Sequence, residues 1–540
     1  MPNPFRLPSL ARTVLAVSVF VSLLLGVANS TQAAAASAAA PTRSLAGSWR
    51  FALDRGDVGA KEQWFTRDLT DKIALPGVLQ SQGYGDEIRT DTPWVVGLGD
   101  AWWKLQSESL RARFSQPGKV EVPFLSQPPR HYLGAAWYQR DIEIADSWKG
   151  KRVQLLLERP HWETTVWIDD RKIGSDRSLV APHEFDLGSL SPGKHRLSIR
   201  IDNRQIVRDP QNDGHGVDSH AVSDALGATW NGIAGRIELT ATSSVWIEDA
   251  QVFPNVAKKT ATIKVKIGNA TGRSGSGVLG LNGMSSSAVT KVRTSNFFAG
   301  GRSDTPLTTF HTGGSSRPVT WSASGGEFEF EVDLGKDAPT WDEFVPTVYR
   351  TALNLTGDGI ADRRELTFGL REVSWRGKDF LVNGRVVNLR MTHFGLDFPL
   401  TGYPATDVES WKKIIRRCQE FGLNGMRFHS CCPPEAAFIA ADELGFYLHP
   451  ELGIWGPFNP GSVYTQYAEE ETPKLLKAYG NHPSFIMLAP SNEPGGRYTE
   501  ITPKWAKAWY EKDHRHLYSA GTGWNRIEQV NGGAQFATLV

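Results

Sequence analysis

At 540 residues the chain is too long for one hydrophobic core, and three or four domains are expected. Lys plus Arg (59) offset Asp plus Glu (58), and the net charge of +1 argues against a nucleic-acid partner, which demands a basic face or stripe. The composition, 40% hydrophobic and 22% charged, is globular, and the 19 Trp are expected mainly as fillers of β-sandwich cores.

The first forty residues read as an export signal. Arg6 and Arg12 form a positive n-region, Val14 to Val27 is apolar, and small residues follow through Ala40. Cleavage is expected within Ala33 to Ala40, which places the mature protein in the periplasm or outside the cell. The apolar run is short for a membrane span, and no later segment approaches the ~20 apolar residues one needs, so no membrane partner is expected after cleavage. The three cysteines, Cys418, Cys431 and Cys432, lie far from the cleavage region, which argues against a lipid-anchored terminus. Three clustered cysteines are not a disulfide scaffold. A zinc site built from them with His429 fits no common finger spacing, and neither metal nor cofactor is expected.

Residues 45–242 pattern as all-β. Short alternating runs such as Arg196-Leu197-Ser198-Ile199-Arg200-Ile201 are separated by turn residues such as Ser191-Pro192-Gly193-Lys194. Asp169-Asp170 sits between two such runs and reads as a hairpin turn. Many short strands with regular turns imply a sandwich. The segments Gly134-Ala135-Ala136-Trp137-Tyr138-Gln139-Arg140, Val166-Trp167-Ile168-Asp169-Asp170, His183-Glu184-Phe185-Asp186-Leu187, Asp202-Asn203 and Trp230-Asn231-Gly232-Ile233 occur in series. Taken in order, they resemble the sugar-binding jelly roll of glycoside hydrolase family 2, the β-galactosidase and β-glucuronidase group. The polar loop from Gln205 to Thr229 is long enough to be functional or mobile. The resemblance implies that it reaches over a sugar site, with His220 and Asp224 as substrate contacts. Read by themselves, both are equally ordinary solvated loop residues.

Residues 243–366 form a second β-rich block, in which Thr260–Ile267 and Phe328–Val332 alternate with period two around a Gly/Ser-rich insertion at Gly272–Ser287. Its size is that of an immunoglobulin-like sandwich, as the resemblance implies at this place. It carries no evident chemistry and reads as a spacer.

From residue 367 to 540 the period changes. Asn388-Leu389-Arg390 reads as a strand, followed by a helix that Thr406 and Glu409 open as a capping box. Val408, Trp411, Ile415, Cys418 and Phe421 line one face of that helix, and Gly422 ends it. Further strands are expected at Leu423–Phe428, Phe446–His449, Phe485–Leu488 and Leu517–Ser519. They alternate with helices from Pro433-Pro434 to Gly445, from Glu469 to Tyr479 and from Pro503 to Lys512. Strict β/α alternation means a parallel sheet and, in this company, a TIM barrel. The expected fold class is thus multidomain β plus α/β: a jelly roll, an immunoglobulin-like sandwich and a partial (β/α)8 barrel. A full barrel takes ~250 residues, more than 367–540 supplies, so the barrel is expected to be incomplete near strand 5.

In such a barrel the reacting groups lie at the C-terminal strand ends. Those ends carry His393, Arg427, His429, Glu451, Trp455, Asn492 and Glu493. Asn481-His482-Pro483-Ser484, continuing to Asn492-Glu493, resembles the family's strand-4 signature, whose Glu is the general acid/base. That resemblance implies catalysis by Glu493, with the Asn492 amide on a sugar 2-hydroxyl. The chemistry suits a carboxylic acid that protonates the departing oxygen. Arg427-Phe428-His429-Ser430 resembles the strand-2 region with His and Ser exchanged. Arg427 is expected to face the active carboxylates, whereas His429 is either a sugar contact or packed core. His393 is a subsite candidate, and Glu451 either organises the site or touches sugar. Retaining hydrolysis needs a second carboxylate ~5–5.5 Å from the first. In the family it comes from strand 7, and none of Glu500, Glu511 and Glu528 matches it. Two readings therefore stand: a retaining glycosidase acting on terminal O-glycosidic bonds whose C-terminal third is absent, or a truncated, inactive carbohydrate-binding fragment.

Overall fold

The computed structural model describes residues 40–93, 106–116, 119–120, 129–204, 207, 229–288, 307–311, 314–395, 398 and 401–523. The export segment up to residue 39, His220, Asp224 and Glu528 lie outside the described residues. All the described residues belong to one compact unit.

The N-terminal portion is two antiparallel sheets. One runs Thr42–Ser44, Gly232–Thr242, Arg152–His161, His183–Gly188, with Gly77–Val78 added beside Gly232–Thr242. The other runs Arg171–Asp176, Glu163–Ile168, Gly193–Asp202, Ala135–Ile144, Gly47–Asp54, Asp71–Leu75. Period-two alternation sends one set of side chains inward. Leu197, Ile199 and Ile201 are fully buried; of the residues that alternate with them, Arg196 and Arg200 are only partly so, and Ser198 is buried as well. Both sheets feed a single core that includes Trp49, Tyr138, Leu155, Val166, Ile199 and Leu239. The hairpin at Asp169-Asp170 forms as expected: Ile168 pairs with Arg171, and Asp169 takes φ 54°, which a short polar side chain tolerates.

The second block also pairs two sheets over one core. Three strands (Val245–Asn255, Thr260–Asn269, Gly326–Asp333) face six, of which Val348–Gly357 is a central member. The Gly/Ser-rich stretch is not an insertion. Gly275–Leu281 and Met284–Ala288 are strands of this second sheet. Glycine suits them because a Cβ on Gly275 would meet the Trp321 indole at 2.9 Å, and one on Gly277 would meet the Thr356 carbonyl oxygen at 2.4 Å and the same indole at 3.0 Å. Strand propensity yields here to a large side chain that needs the room.

Among the described residues, five short parallel strands of the last portion succeed one another side by side: β1 (Met391–Phe394), β2 (Gly425–Phe428), β3 (Tyr447–His449), β4 (Met487–Leu488) and β5 (Leu517–Tyr518). They neighbour one another in chain order, with β3 and β4 joined through the parallel bridge Leu448 to Phe485. Helices α1 (Val408–Glu420), α2 (Glu435–Leu444), α3 (Val463–Tyr479) and α4 (Tyr498–Lys512) alternate with them, and Trp411, Phe438, Leu475 and Trp505 pack into a common core. Asn388-Leu389-Arg390 is not a strand. The Asn424 side chain takes its backbone groups, donating to the Asn388 carbonyl (3.0 Å) and accepting from the Arg390 N–H (2.7 Å). No Thr406 capping box forms either. Asp407 caps α1 by accepting the Ser410 N–H at 2.8 Å, and Phe421, just past the helix, is 79% exposed. Helices α3 and α4 start earlier than expected and carry Pro473 and Pro503 inside them. No helix among the described residues is long and apolar enough to cross a membrane.

The sandwich loop 176–181 seats on α3. The wholly buried Glu471 accepts hydrogen bonds from Leu179 N (2.8 Å) and Ser178 Oγ (3.1 Å), while Lys474 pairs with Asp176 at 2.7 Å. Arg159 reaches from the first sheet to the carbonyl of Pro433, and Trp162, Val180 and Ala181 join the helix core.

Candidate active site

The C-terminal ends of β2, β3, β4 and β5 converge on one hydrogen-bonded cluster. Arg427, the third residue of β2, donates Nε to Glu451 Oε1 at 2.6 Å. Its Nη2 donates to Asn492 Oδ1 at 2.8 Å and to Thr522 Oγ1 at 2.6 Å. Thr522 donates in turn to Glu451 Oε1 at 2.6 Å, closing a ring of three residues from three strand ends. Glu451 is fully buried, and its other carboxylate oxygen has no hydrogen-bond partner among the described residues. It stands behind Arg427, where it shapes the cluster rather than its surface.

Glu493 sits at the rim of this cluster, half-buried. Its backbone is left-handed, φ 41°, and its N–H donates to the Thr522 carbonyl at 2.7 Å. A non-Gly residue in that region is uncommon and is held there by its surroundings. The Glu493 carboxylate makes no hydrogen bond or ion pair with another described residue, whereas the amide oxygen of Asn492 beside it is engaged by Arg427. Gly523, at φ 85°, packs directly against the pair. A Cβ there would lie 2.7 Å from Glu493 Cγ and 2.9 Å from Asn492 Oδ1.

The expected histidines also gather here. The rings of His393 and His429 lie 4.3 Å apart. Partial desolvation, then the Arg427 charge, hold His393 below the ordinary imidazole range. Buried His449 on β3 is pushed down to about 3 by burial, with Arg427 adding to it. Trp455 is half-buried in the segment after β3. That segment is tied to the Glu493 loop by Ser491 Oγ donating to the Ile454 carbonyl (2.9 Å) and Gly495 N to the Gly456 carbonyl (3.1 Å).

The structure thus brings Arg427, Glu451, Asn492 and Glu493 together, with His393, His429 and Trp455 on the adjoining segments. Thr522 and Gly523 are the members that residue type did not flag, because neither side chain titrates. Their place just past β5 follows the same strand-end rule as the others. Among the described residues no group of His, Cys, Asp and Glu is arranged to hold a metal ion. Cys431 and Cys432 are buried and form no disulfide among the described residues, and burial pushes the Cys432 thiol up to about 12.

No family model matches the chain. It is 22% identical over 379 residues to a β-galactosidase of Thermoanaerobacterium thermosulfurigenes, covering 68% of this chain and 48% of that protein. It is 22% identical over 483 residues to a β-galactosidase of Arthrobacter sp. (strain B7), covering 84% of this chain and 40% of the relative. The chain therefore spans less than half the length of either. Among solved structures it superposes on a Bacteroides uniformis β-glucuronidase with a TM-score of 0.65 at 17% identity, over 89% of this chain and 52% of that one. A GH2 β-galacturonidase from Eisenbergiella tayi bound to galacturonate gives 0.64 at 17% identity, over 90% and 72%. The chain is thus similar in sequence, over most of its length, to β-galactosidases, and similar in fold to a GH2 β-galacturonidase.

Proposed function

We propose that the protein is a glycosidase that hydrolyses terminal O-glycosidic bonds of oligo- or polysaccharides with retention of configuration, and that Glu493 is its acid/base. The observation that carries this reading is a carboxylate with no partner among the described residues. It stands at the rim of converging parallel strand ends, beside an asparagine whose amide orientation an arginine fixes. In the first step the Glu493 carboxyl would protonate the departing glycosidic oxygen. In the second, its carboxylate would take a proton from the attacking water. The Asn492 amide N–H groups would bind the sugar 2-hydroxyl, and Arg427 would keep a neighbouring nucleophilic carboxylate ionised. That nucleophile is not among the described carboxylates of the cluster, since Glu451 is locked behind Arg427. His393, His429 and Trp455 would line the sugar subsite, with Asp224 reaching it from the loop.

The same reading assigns residues 45–242 to a jelly roll, 243–366 to an immunoglobulin-like sandwich and 367–540 to the first part of a (β/α)8 barrel. Residues 1–40 would direct export to the periplasm or medium. The β-galactosidases and β-glucuronidase to which the chain is similar support a carbohydrate substrate.

The test is Glu493→Gln in the full-length gene product, assayed on aryl glycosides of graded leaving-group acidity. Turnover should fall by ~10²–10⁴ where the leaving group needs protonation, and least where it does not. An equal loss across leaving groups would remove Glu493 from the acid/base role.

A further inference from the structure

Thr522 is 3% exposed, and its hydroxyl has one proton and two lone pairs to place. The proton goes to Glu451 Oε1 at 2.6 Å in preference to the Ser491 carbonyl at 3.3 Å, and one lone pair accepts from Arg427 Nη2. The same Nη2 also donates to Asn492 Oδ1. Fixing that nitrogen therefore decides which end of the Asn492 amide turns inward, and leaves its N–H groups without a partner among the described residues. The Thr522 backbone grips the same segment a second time. Its N–H donates to the Ser491 carbonyl (3.2 Å), and its own carbonyl accepts the Glu493 N–H (2.7 Å), on either side of the parallel bridge between Asn492 and Thr522. One residue just past β5 thus touches every part of the β4 end that carries the proposed chemistry, yet its side chain is too buried to meet a substrate.

We infer that Thr522 is a positioning residue: its hydroxyl sets Arg427 and, through it, the donor face of the Asn492 amide, while its backbone sets the Glu493 turn. The inference rests on the glycosidase reading for its kinetic consequence, though not for its geometry. Thr522→Val keeps the volume and backbone but deletes the hydroxyl, freeing Arg427 Nη2 to move off Asn492. Thr522→Ser keeps the hydroxyl.

The experiment compares Thr522→Val, Thr522→Ser and the parent full-length protein on an aryl glycoside and on its 2-deoxy analogue, which lacks the hydroxyl that Asn492 would bind. A displacement of a positioned group by ~1 Å costs on the order of 10²-fold in turnover. Thr522→Val should therefore lose ~10- to 100-fold in kcat on the 2-hydroxy substrate, with KM little changed, and several-fold less on the 2-deoxy substrate. Thr522→Ser should recover most of the loss. Equal losses on both substrates, or no loss, would overturn the inference. A parent protein without activity on any aryl glycoside would sink the glycosidase reading instead. The geometric claim is then decided by the crystal structure of Thr522→Val: Arg427 still bonded to Asn492 with the amide unturned overturns it. If valine prevents folding, Thr522→Ala removes the same hydroxyl without the added methyl contact and is read in the same way.

Discussion

Gly523 and Gly232 both adopt backbone conformations that L-residues avoid, φ 85° and 148°, yet alanine should act differently at each. At Gly523 the new methyl meets the Glu493 Cγ at 2.7 Å, on a side chain that can swing away, and the Asn492 Oδ1 at 2.9 Å, which Arg427 holds. At Gly232 it meets the Gly77 carbonyl oxygen at 2.3 Å and the Val78 Cα at 2.7 Å, in a paired strand that cannot give. Gly523→Ala should therefore fold, at a cost of about 1–2 kcal/mol from the strained backbone, and lose turnover by at least ~10-fold because Glu493 is displaced. Gly232→Ala should unfold the sandwich edge, costing roughly 3 kcal/mol or more. Thermal melting together with turnover separates the two outcomes. If the protein has the proposed activity, a Gly523→Ala variant of parental kcat would mean that the Glu493 side chain is not held where it is needed.

At the scale of elements, α1 shows what the chain discloses and what it conceals. The apolar spacing Trp411 and Ile415 locates the helix, and both are fully buried. The cap was misplaced by one residue because Thr406 and Asp407 are both competent caps. Only the backbone decides which carboxylate or hydroxyl meets a free N–H. The deciding bond is Asp407 to Ser410 N, and it also holds the Asp407 carboxyl below the ordinary carboxylate range. Asp407→Ala should cost about 1 kcal/mol at neutral pH, and Thr406→Ala close to nothing. Chemical denaturation of the two variants checks the order. The proline-bearing helices α3 and α4 were read too short for a related reason. For α4 the expected start falls on Pro503, a residue suited to a first helical turn, whereas for α3 the cap is Ser462, which accepts the Thr465 N–H well before the expected start at Glu469. The site was legible where titratable residues end strands, as at Arg427, Glu451 and Glu493. It was not legible at Thr522 and Gly523, whose contribution is a hydroxyl and an absent side chain.

For the whole molecule, acid sensitivity follows from groups buried in the wrong charge state. His161, His449 and His516 are buried and held down to about 3, first by desolvation, so each stays neutral in the fold and protonates at about 6.5 when unfolded. Their contribution is fully present above 6.5 and is lost as pH falls towards 3, at about 1.4 kcal/mol per pH unit for each fully titrating group. Glu471, the carboxylate on which the sandwich loop sits, opposes this. Burial raises it from 4.5 to about 7, so the fold binds its proton more tightly than the unfolded chain does. Stability from Glu471 is therefore present below 4.5 and is lost as pH rises through 7. Between 4.5 and 6.5 three histidines outweigh one glutamate, and the protein should lose stability on acidification. Glu471→Gln keeps an acceptor for Leu179 N and removes the titrating carboxyl. The variant's stability relative to the parent should accordingly improve as pH rises from 4.5 to 7, and its loss on acidification should be steeper than the parent's. Parallel urea-denaturation curves for variant and parent across that window would mean that Glu471 keeps its ordinary proton affinity. The contact between sandwich and helix α3 would then be an ionised ion-pair network shared with Lys474 and Asp176 rather than a protonated latch.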